Sequence, residues 1–457
     1  MALLTDKRTV QSTVSSLPAH RYCRRRALGS IAALCALGCD TETTTPGPAF
    51  DPTVVCAVAP CVQRLVPSGG GQFYYALVAD GSTRAWGEDS NGELGVPSRV
   101  LSDGRVFDDF QTQSDWRPTP VSVPDLPEFV ELAEGNVATC GLTGDREVWC
   151  WGGMNWALPA DDSNRYDPGD GGIRVQSRPV YIPGFRGAEQ LAIGANHLCA
   201  LRAGQVLCWG SNSDDALGID SPTAYPASVP TAVSGLGRAK QVVADSESTC
   251  AVLVDGTVWC WGRHLPGQKR TSFGYTSSPT PQKLLGLSGV ASFATSDHGC
   301  ALLENGDVMC LGSSGYGQAG VDLSQASDDV LVTPQRIELP VSSVQVVVGG
   351  AFSCALGRDE RVRCWGMGWN GDLGIGRRAA PHPGVPVPST DLAGVVQVVA
   401  RLASACALFR SGEVRCWGEN TRGELGNGIP DPRTSDPSDF TIGGNQFTPM
   451  AVQWQAP

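Results

Sequence analysis

The chain has 457 residues, 41% of them apolar, 7% aromatic and 18% charged, with a formal net charge of −12. Its first 38 residues hold six Lys/Arg and one Asp, which leaves 28 basic against 45 acidic residues in the remainder. An acidic excess of that size argues against nucleic acid and against direct adsorption to anionic lipid, and 56 glycines point to an all-β chain with many tight turns.

At the N-terminus, Arg24, Arg25 and Arg26 precede an apolar stretch over 27–37 that ends at Cys39. A basic region followed by eleven apolar residues makes residues 1–38 a signal peptide, too short to span a bilayer as a stable helix. The tetrapeptide Ala36-Leu37-Gly38-Cys39 resembles a bacterial lipobox, in which the cysteine is lipidated. It departs from that pattern, with Ala36 for the usual Leu and Leu37 for the usual small residue; an ordinary signal with a coincidental cysteine is the alternative. Of 17 cysteines, Cys23 and Cys35 leave with the signal; setting Cys39 aside for lipid leaves fourteen, an even number. Residues 39–61 then form the lipidated cysteine and a Thr/Pro-rich tether, with Cys56 paired to Cys61.

Beyond the tether a unit recurs seven times. Six copies carry a cysteine pair: Cys140 with Cys150, Cys199 with Cys208, Cys250 with Cys260, Cys300 with Cys310, Cys354 with Cys364, and Cys406 with Cys416. The second cysteine of each pair stands before Trp-Gly or Leu-Gly. An earlier copy over 75–87 keeps the frame without cysteines. The last copy shows four β-branched or apolar runs, at 395–400, 406–409, 413–417 and 448–452, bounded by Gly, Asn and Pro; such runs read as strands and make a four-stranded blade. No sustained 3.6-residue apolar period occurs after Cys39, so no long helix is expected. A period near fifty residues with strand-like units points to a seven-bladed β-propeller over 62–457.

The turns set the hairpin register. Val254-Asp255-Gly256 reads as a three-residue loop with Gly in the left-handed slot, and counting outward from Leu253 opposite Thr257 places Cys250 opposite Cys260. The third copy is one residue shorter at Ala203-Gly204, and the same count still places Cys199 opposite Cys208. Opposed strand positions lie within disulfide reach. Zinc would want close C-x2-C pairs converging, so disulfides are the simpler reading, with reduced core cysteines as the alternative. Seven Pro-containing strands occur and the last has no unit after it. The N- and C-terminal strands are therefore expected to close the ring, with 448–454 pairing in one blade with the strands around 62–66 and 73–86.

The C-A-L, C-W-G and G-E-L-G elements, as in Trp417-Gly418 and Gly423-Glu424-Leu425-Gly426, resemble the regulator of chromosome condensation repeat, and in particular its cysteine-rich bacterial versions. Trp86-Gly87, Trp209-Gly210 and Gly92-Glu93-Leu94-Gly95 carry the same motifs. Leu311 replaces Trp in the fifth copy, and the second copy has no recognisable G-E-L-G after Trp156. The resemblance implies a seven-bladed propeller used for protein binding. The nucleotide-exchange activity of the founding member lies outside the repeat motif and is not implied.

Chemistry-bearing residues are sparse. His197 and His298 occupy the same repeat position before C-A and are expected to pack or cap a strand. Asp255 to Trp259 read as a turn, and no nucleophile elbow, H-E-x-x-H or phosphate loop is present. Asp161, Asp162, Asp167 and Asp170 miss the EF-hand spacing and read as a solvated loop, with calcium as the alternative. Two inserts, over 96–118 and 157–178, carry Phe107, Phe110, Trp116, Trp156 and Tyr166 and are candidate binding loops on one rim. The sequence thus favours a monomeric, non-enzymatic binding propeller without a cofactor. It would be lipid-anchored on the bacterial envelope, with a protein or glycan partner. A hydrolase or lyase would need paired carboxylates or histidines converging in the funnel; a passive envelope component is the third reading. Cys39→Ser is expected to move the protein from the membrane to the soluble fraction, read by fractionation; unchanged membrane association would mean the anchor is elsewhere.

Overall fold

The computed structural model describes residues 50–66, 71–96, 116–124, 126–154, 175–219, 229–269, 276–321, 329–378, 384–429 and 445–454. They form seven four-stranded antiparallel sheets, each built from consecutive strands, arranged as a seven-bladed propeller; no helix occurs among them. Blade 1 comprises Val62–Leu65, Phe73–Val78, Thr83–Glu88 and Trp116–Ser122, and blade 2 Phe129–Glu134, Ala138–Thr143, Val148–Gly153 and Val175–Ile182. Blade 3 is Gln190–Ile193, His197–Arg202, Gln205–Gly210 and Thr231–Ala232; blade 4 is Ala239–Ala244, Ser248–Leu253, Val258–Gly262 and Ser278–Lys283. Blade 5 holds Val290–Thr295, His298–Leu303, Val308–Ser313 and Val330–Arg336, and blade 6 Ser343–Val348, Phe352–Gly357, Arg361–Gly366 and Val387–Ala393. Blade 7 is Val395–Arg401, Ser404–Phe409, Val414–Gly418 and Gln446–Ala451.

The first strand of each blade lines the central channel, a space of about 350 Å³ bordered by Glu131, Gln190, Gln241, Ser292 and Gln345. The second strands lie deeper, and in blades 2, 4, 6 and 7 all six of their residues are buried. Both faces of such a strand are covered by neighbouring blades, which is why C-A-L runs lack polar alternation.

The hairpin count holds. Cys250 stands opposite Cys260, Leu253 N–H donates to Thr257 O at 2.8 Å, and Gly256 takes φ +78°. In blade 3 the shorter turn places Arg202 opposite Gln205, with Ala203 and Gly204 both at positive φ, and keeps Cys199 opposite Cys208. The remaining pairs oppose in the same way: Cys140 faces Cys150 in blade 2, Cys300 faces Cys310 in blade 5, Cys354 faces Cys364 in blade 6, and Cys406 faces Cys416 in blade 7. All six blade pairs are disulfide-bonded with Cα atoms 4.0 or 4.1 Å apart, and Cys56 is bonded to Cys61. Reduced core cysteines, the alternative left open by the spacing, therefore do not describe Cys150, Cys310, Cys364 or their counterparts. In blade 1 Tyr75 and Ala85 take the equivalent opposed places.

The N- and C-terminal strands close the ring, but their pairing differs from the sequence expectation. Residues 446–451 pair with the third strand of their own blade, Cys416 opposite Met450, and 62–65 pair with 73–78. The terminal strands meet at the closing seam but share no sheet, because Trp116–Ser122 already fills the outer place of blade 1. Closure is by packing and side-chain hydrogen bonds rather than by strand pairing: Val62, Leu65, Tyr74 and Trp86 join Val396, Val399, Leu408 and Val452 in one apolar cluster, with Trp454 edge-on to Trp86. The tether boundary also shifts. Residues 50–61 are held on the ring, with Val55 N–H and Ala57 N–H bonded to the carbonyls of Arg410 and Ser411.

Five blades are joined to the preceding one by a tryptophan. Trp86, Trp151, Trp261, Trp365 and Trp417 donate their indole N–H to the backbone carbonyls of Glu424, Glu93, Ala216, Gln318 and Asp372, all in the loop of the preceding blade, at 2.8–2.9 Å. The Glu93 carbonyl also receives Tyr75 Oη–H and Thr139 Oγ1–H, whereas Trp417 is the side-chain donor at Asp372. Leaving a buried carbonyl unpaired costs about 1–3 kcal/mol, so Trp417→Phe should destabilise by that amount. Trp151→Phe should cost less, and urea unfolding midpoints check the order.

Candidate functional site

Antiparallel order puts the connections between strands one and two, and between strands three and four, on one side of the ring, here called the loop side. The two sets brace each other: Gly153 N–H bonds Val137 O, Arg263 N–H bonds Glu247 O, and Ser313 N–H bonds Asp297 O. The opposite, turn side carries the hairpin turns between strands two and three.

On the loop side the channel opens into a cavity of about 330 Å³, lined among others by Asp245, Ser246, Glu247, His264, Asp297 and Arg401. Asp245 and Glu247 come from the first connection of blade 4 and Asp297 from that of blade 5. Burial pushes the Asp245 carboxyl up to about 7; a backbone hydrogen bond at Ser246 opposes this, and Asp297 and Glu247 add repulsion. Glu247 is partly balanced by Arg263 at 3.6 Å, and His264 Nε2 lies 3.5 Å from it. Arg401 lends the mouth little charge, since it forms an ion pair with Glu134, both buried, beneath the rings of Phe73 and Tyr74. The mouth is therefore net acidic. Among the described residues no group of three or more His, Cys, Asp or Glu is arranged to hold a metal ion.

The loop connections are themselves built structures. In blade 1 the Asp89 carboxylate accepts from Leu94 N–H, and Glu93 accepts from the backbone and side chain of Asn91. In blade 7 Asn420 accepts from Leu425 N–H and Glu424 from Arg422 N–H. Gly95, Gly218, Gly374 and Gly426, all at positive φ, leave room for the next blade's tryptophan; a Cβ at Gly95 would lie 2.8 Å from Trp151 Nε1. In blades 5 and 6 these connections carry Tyr316 and Trp369, each 39% exposed, with ring centroids 5.7 Å apart and edge to face.

Several sequence candidates are placed differently or lie outside the described residues. Trp116 is not in a loop: it is the first residue of the outer strand of blade 1, half-buried opposite Glu88. Phe107, Phe110, Trp156, Tyr166, Cys39 and the acidic stretch 161–170 lie outside the described residues. His197 and His298 are buried seam residues. Their Nε2 atoms lie 2.8 Å from Thr249 Oγ1 and 2.7 Å from Ser353 Oγ of the next blade. Those hydroxyls donate onward to Ala216 O and Gln318 O, which makes Nε2 the protonated nitrogen in each ring. Burial depresses the two imidazoles to about 4 and about 3, so they remain neutral.

Sequence reasoning did not single out Asp245, Glu247, Asp297, Tyr316 or Trp369. The signal for the aromatics was an off-pattern residue: Tyr316 stands where other copies have Asn91, Asn370 or Arg422. The acids carried no comparable signal, being 52 residues apart and joined only by the ring.

Comparison with known proteins agrees with this architecture. Residues 203–252 and 293–318 match family models described as the regulator of chromosome condensation (RCC1) repeat. The chain is 27% identical over 385 residues to the ultraviolet-B receptor UVR8 of Arabidopsis thaliana, covering 81% of this chain and 80% of that protein. It is 31% identical over 263 residues to the human E3 ubiquitin-protein ligase HERC2, covering 53% of this chain but 5% of the ligase. Among solved structures, human WBSCR16 superposes with a TM-score of 0.63 at 21% identity, covering 81% of this chain and 94% of that one. Yeast RCC1 (Prp20), solved with Kap60, gives 0.65 at 18% identity, covering 92% and 91%. These likenesses support an RCC1-like propeller, a class whose uses are mostly binding or regulatory.

The loop carboxyls generate a pH dependence. Burial first of all pushes Glu93 and Glu424 up to about 8 and Asp372 to about 7. A carboxyl whose folded value is raised favours the fold at low pH, and this contribution is lost as pH rises from about 4.5 through about 8. Gln318 shows that the slot accepts a neutral side chain: its Oε1 accepts from Tyr316 N–H and its Nε2 donates to Ser313 Oγ. Glu93→Gln with Glu424→Gln should therefore flatten the fall in melting temperature across that pH window; an unchanged slope would mean both carboxyls are already ionised within it.

Proposed function

We propose that this chain is a binding propeller rather than an enzyme, displayed on the bacterial envelope through lipid on Cys39, and that its loop side recognises a protein or glycan. The observation that carries the reading is the asymmetry of the ring. The loop side gathers an acidic cavity and an exposed Tyr316–Trp369 pair, whereas the turn side is composed of hairpin turns and the connections from each fourth strand to the next blade, with isolated exposed aliphatic residues such as Val254 and Leu285. Large aromatics at the surface are usual anchors of recognition surfaces. The plant relative is a receptor by name, which fits recognition. The ligase name of HERC2 belongs to a protein of which this chain matches a small part, and it supplies no activity here.

A second reading has a specific observation in its favour. Asp245, held near neutrality beside Asp297, resembles the split carboxyl pair of a hydrolase or lyase, one protonated and one ionised. Against it, Glu247 is engaged by Arg263 and His264, and Asp297 is exposed. Those features suit a solvated acidic rim better than a dry catalytic pair.

The purified ring should capture a partner from envelope extracts, with capture reduced at least about tenfold, a loss of some 1.4 kcal/mol, when Tyr316→Ala is combined with Trp369→Ala. Val254→Ala on the turn side should leave capture unchanged. Equal capture by both variants would overturn the assignment of the loop side. Turnover of a substrate that is abolished by Asp245→Asn would favour the second reading.

A further inference from the structure

We infer that residues 50–61 fix which side of the ring faces the membrane: the turn side is held towards the bilayer and the loop side is presented outward, to partners approaching from the aqueous phase. The inference rests on the proposed lipid at Cys39 for its membrane, and on the described segment for its direction.

That segment is built into the turn side. Phe50 packs against the cluster shared by blades 6 and 7. Arg410, in the hairpin turn of blade 7, donates to the carbonyls of Asp51 and Thr53 at 2.7 and 3.0 Å, and its guanidinium lies 3.7 Å from the Asp51 carboxylate. The same guanidinium bonds Glu360 in the hairpin turn of blade 6. Val55 and Ala57 bond the turn carbonyls of Arg410 and Ser411 at 2.7 and 2.9 Å, and Val62 N–H bonds Gly412 O at 3.1 Å. Gly412, at φ +87°, leaves no room for a side chain; a Cβ there would lie 2.8 Å from Cys61 Sγ. The Cys56–Cys61 bridge closes the segment against this turn. Ala79 N–H of the neighbouring turn in blade 1 bonds Cys61 O at 2.9 Å. Every one of these hydrogen bonds lies on the turn side.

Reach then sets the orientation. Cys39 precedes Phe50 by eleven residue steps, about 36–40 Å when fully extended and roughly half that as a flexible coil. A six-residue strand rises about 20 Å. Turning the loop side to the membrane would require the linker to double back along the outer edge of a blade, using about half of its extended length. With the turn side down, no such detour is needed. The acidic mouth then faces away from the anionic lipid surface, which repulsion also favours.

The test places a genetically encoded fluorescent residue at Val254, on the turn side, or at Trp369, on the loop side. Energy transfer to a dye in the bilayer is measured for the full lipidated chain in vesicles. A parallel measurement uses the chain from residue 40 with an N-terminal histidine tag on nickel-chelating lipid. Donors separated by roughly one strand length, about 20 Å, should differ at least about twofold in transfer, with Val254 the more quenched in both formats. Arg410→Ala with Cys56→Ser and Cys61→Ser should stay vesicle-bound and lose the difference. Equal transfer from the two sites, or stronger transfer from Trp369, overturns the orientation. If the native chain does not bind vesicles while the tagged chain shows the asymmetry, the lipid reading falls and the directing role of 50–61 stands.

Discussion

The ring depends on a hydrogen bond that no blade can make alone. A four-stranded blade buries its tryptophan only when a neighbour covers it, and burying an indole N–H without an acceptor is unfavourable. The neighbour supplies the acceptor as a carbonyl in its loop connection, and the apolar residue that follows it, a leucine in blades 1, 3, 6 and 7 and Ala319 in blade 5, is buried beside it. Thr139, Thr249 and Ser353 send hydroxyl hydrogens to the same carbonyls. The connection is thus shaped by the blade that follows it, so seven local units become one cooperative ring rather than a string of sheets.

A second clamp runs along the channel. Gln241 bonds both backbone groups of Phe293, Gln345 those of Val398, and Gln397 those of Leu65, while Gln190 and Glu131 accept from Val242 and Leu191. The two clamps fail in different places. Blade 5 has Leu311 where others have tryptophan, and its seam with blade 4 keeps the Gln241 clamp. Ser292 cannot reach across to blade 6, and there Trp365 and the His298–Ser353 bond remain. The disulfides do something else. Each of the six blade bridges lies within one hairpin, so it stabilises a blade by constraining a short loop, about 2–3 kcal/mol on the chain-entropy view, and joins no blade to another.

Much of this was legible because strand pairing is local. A hairpin's register follows from the length of its turn, so the opposition of Cys250 to Cys260 and of Cys199 to Cys208 could be counted along the chain. The pairing at the closing seam was not, and the prolines explain why. The expectation treated them as marks of strands still needing partners. Pro120, Pro179, Pro281, Pro334 and Pro449 in fact sit in the outermost strands, and Pro230 and Pro386 stand immediately before them, where a missing N–H blunts an edge. With the edges protected this way, no terminal strand has to cross between blades. The acidic mouth was illegible for the opposite reason. Asp245 and Asp297 acquire their mutual repulsion, and Asp245 its shifted titration, only when two connections from different blades converge on one axis.

The closing seam is where these constraints meet. It has the tryptophan bond from Trp86 to Glu424, the channel clamp from Gln397 to Leu65, and the hydroxyl contact of Tyr74 with Ser404. Arg401 of blade 7 then reaches past blade 1 to Glu134 of blade 2, donating to Gly71 O on the way and lying over the rings of Phe73 and Tyr74. Buried ion pairs are weak sources of net stability, because desolvation offsets attraction, but an unpaired buried charge is strongly unfavourable. Arg401 and Glu134 therefore act mainly against alternatives: a ring that closed with blade 7 against a different neighbour would leave both charges buried without partners. Blade 1 alone lacks a cysteine pair, and it is the blade enclosed by this pair on one side and by residues 50–61 on the other. The chain thus places its non-covalent specificity where its covalent reinforcement is missing.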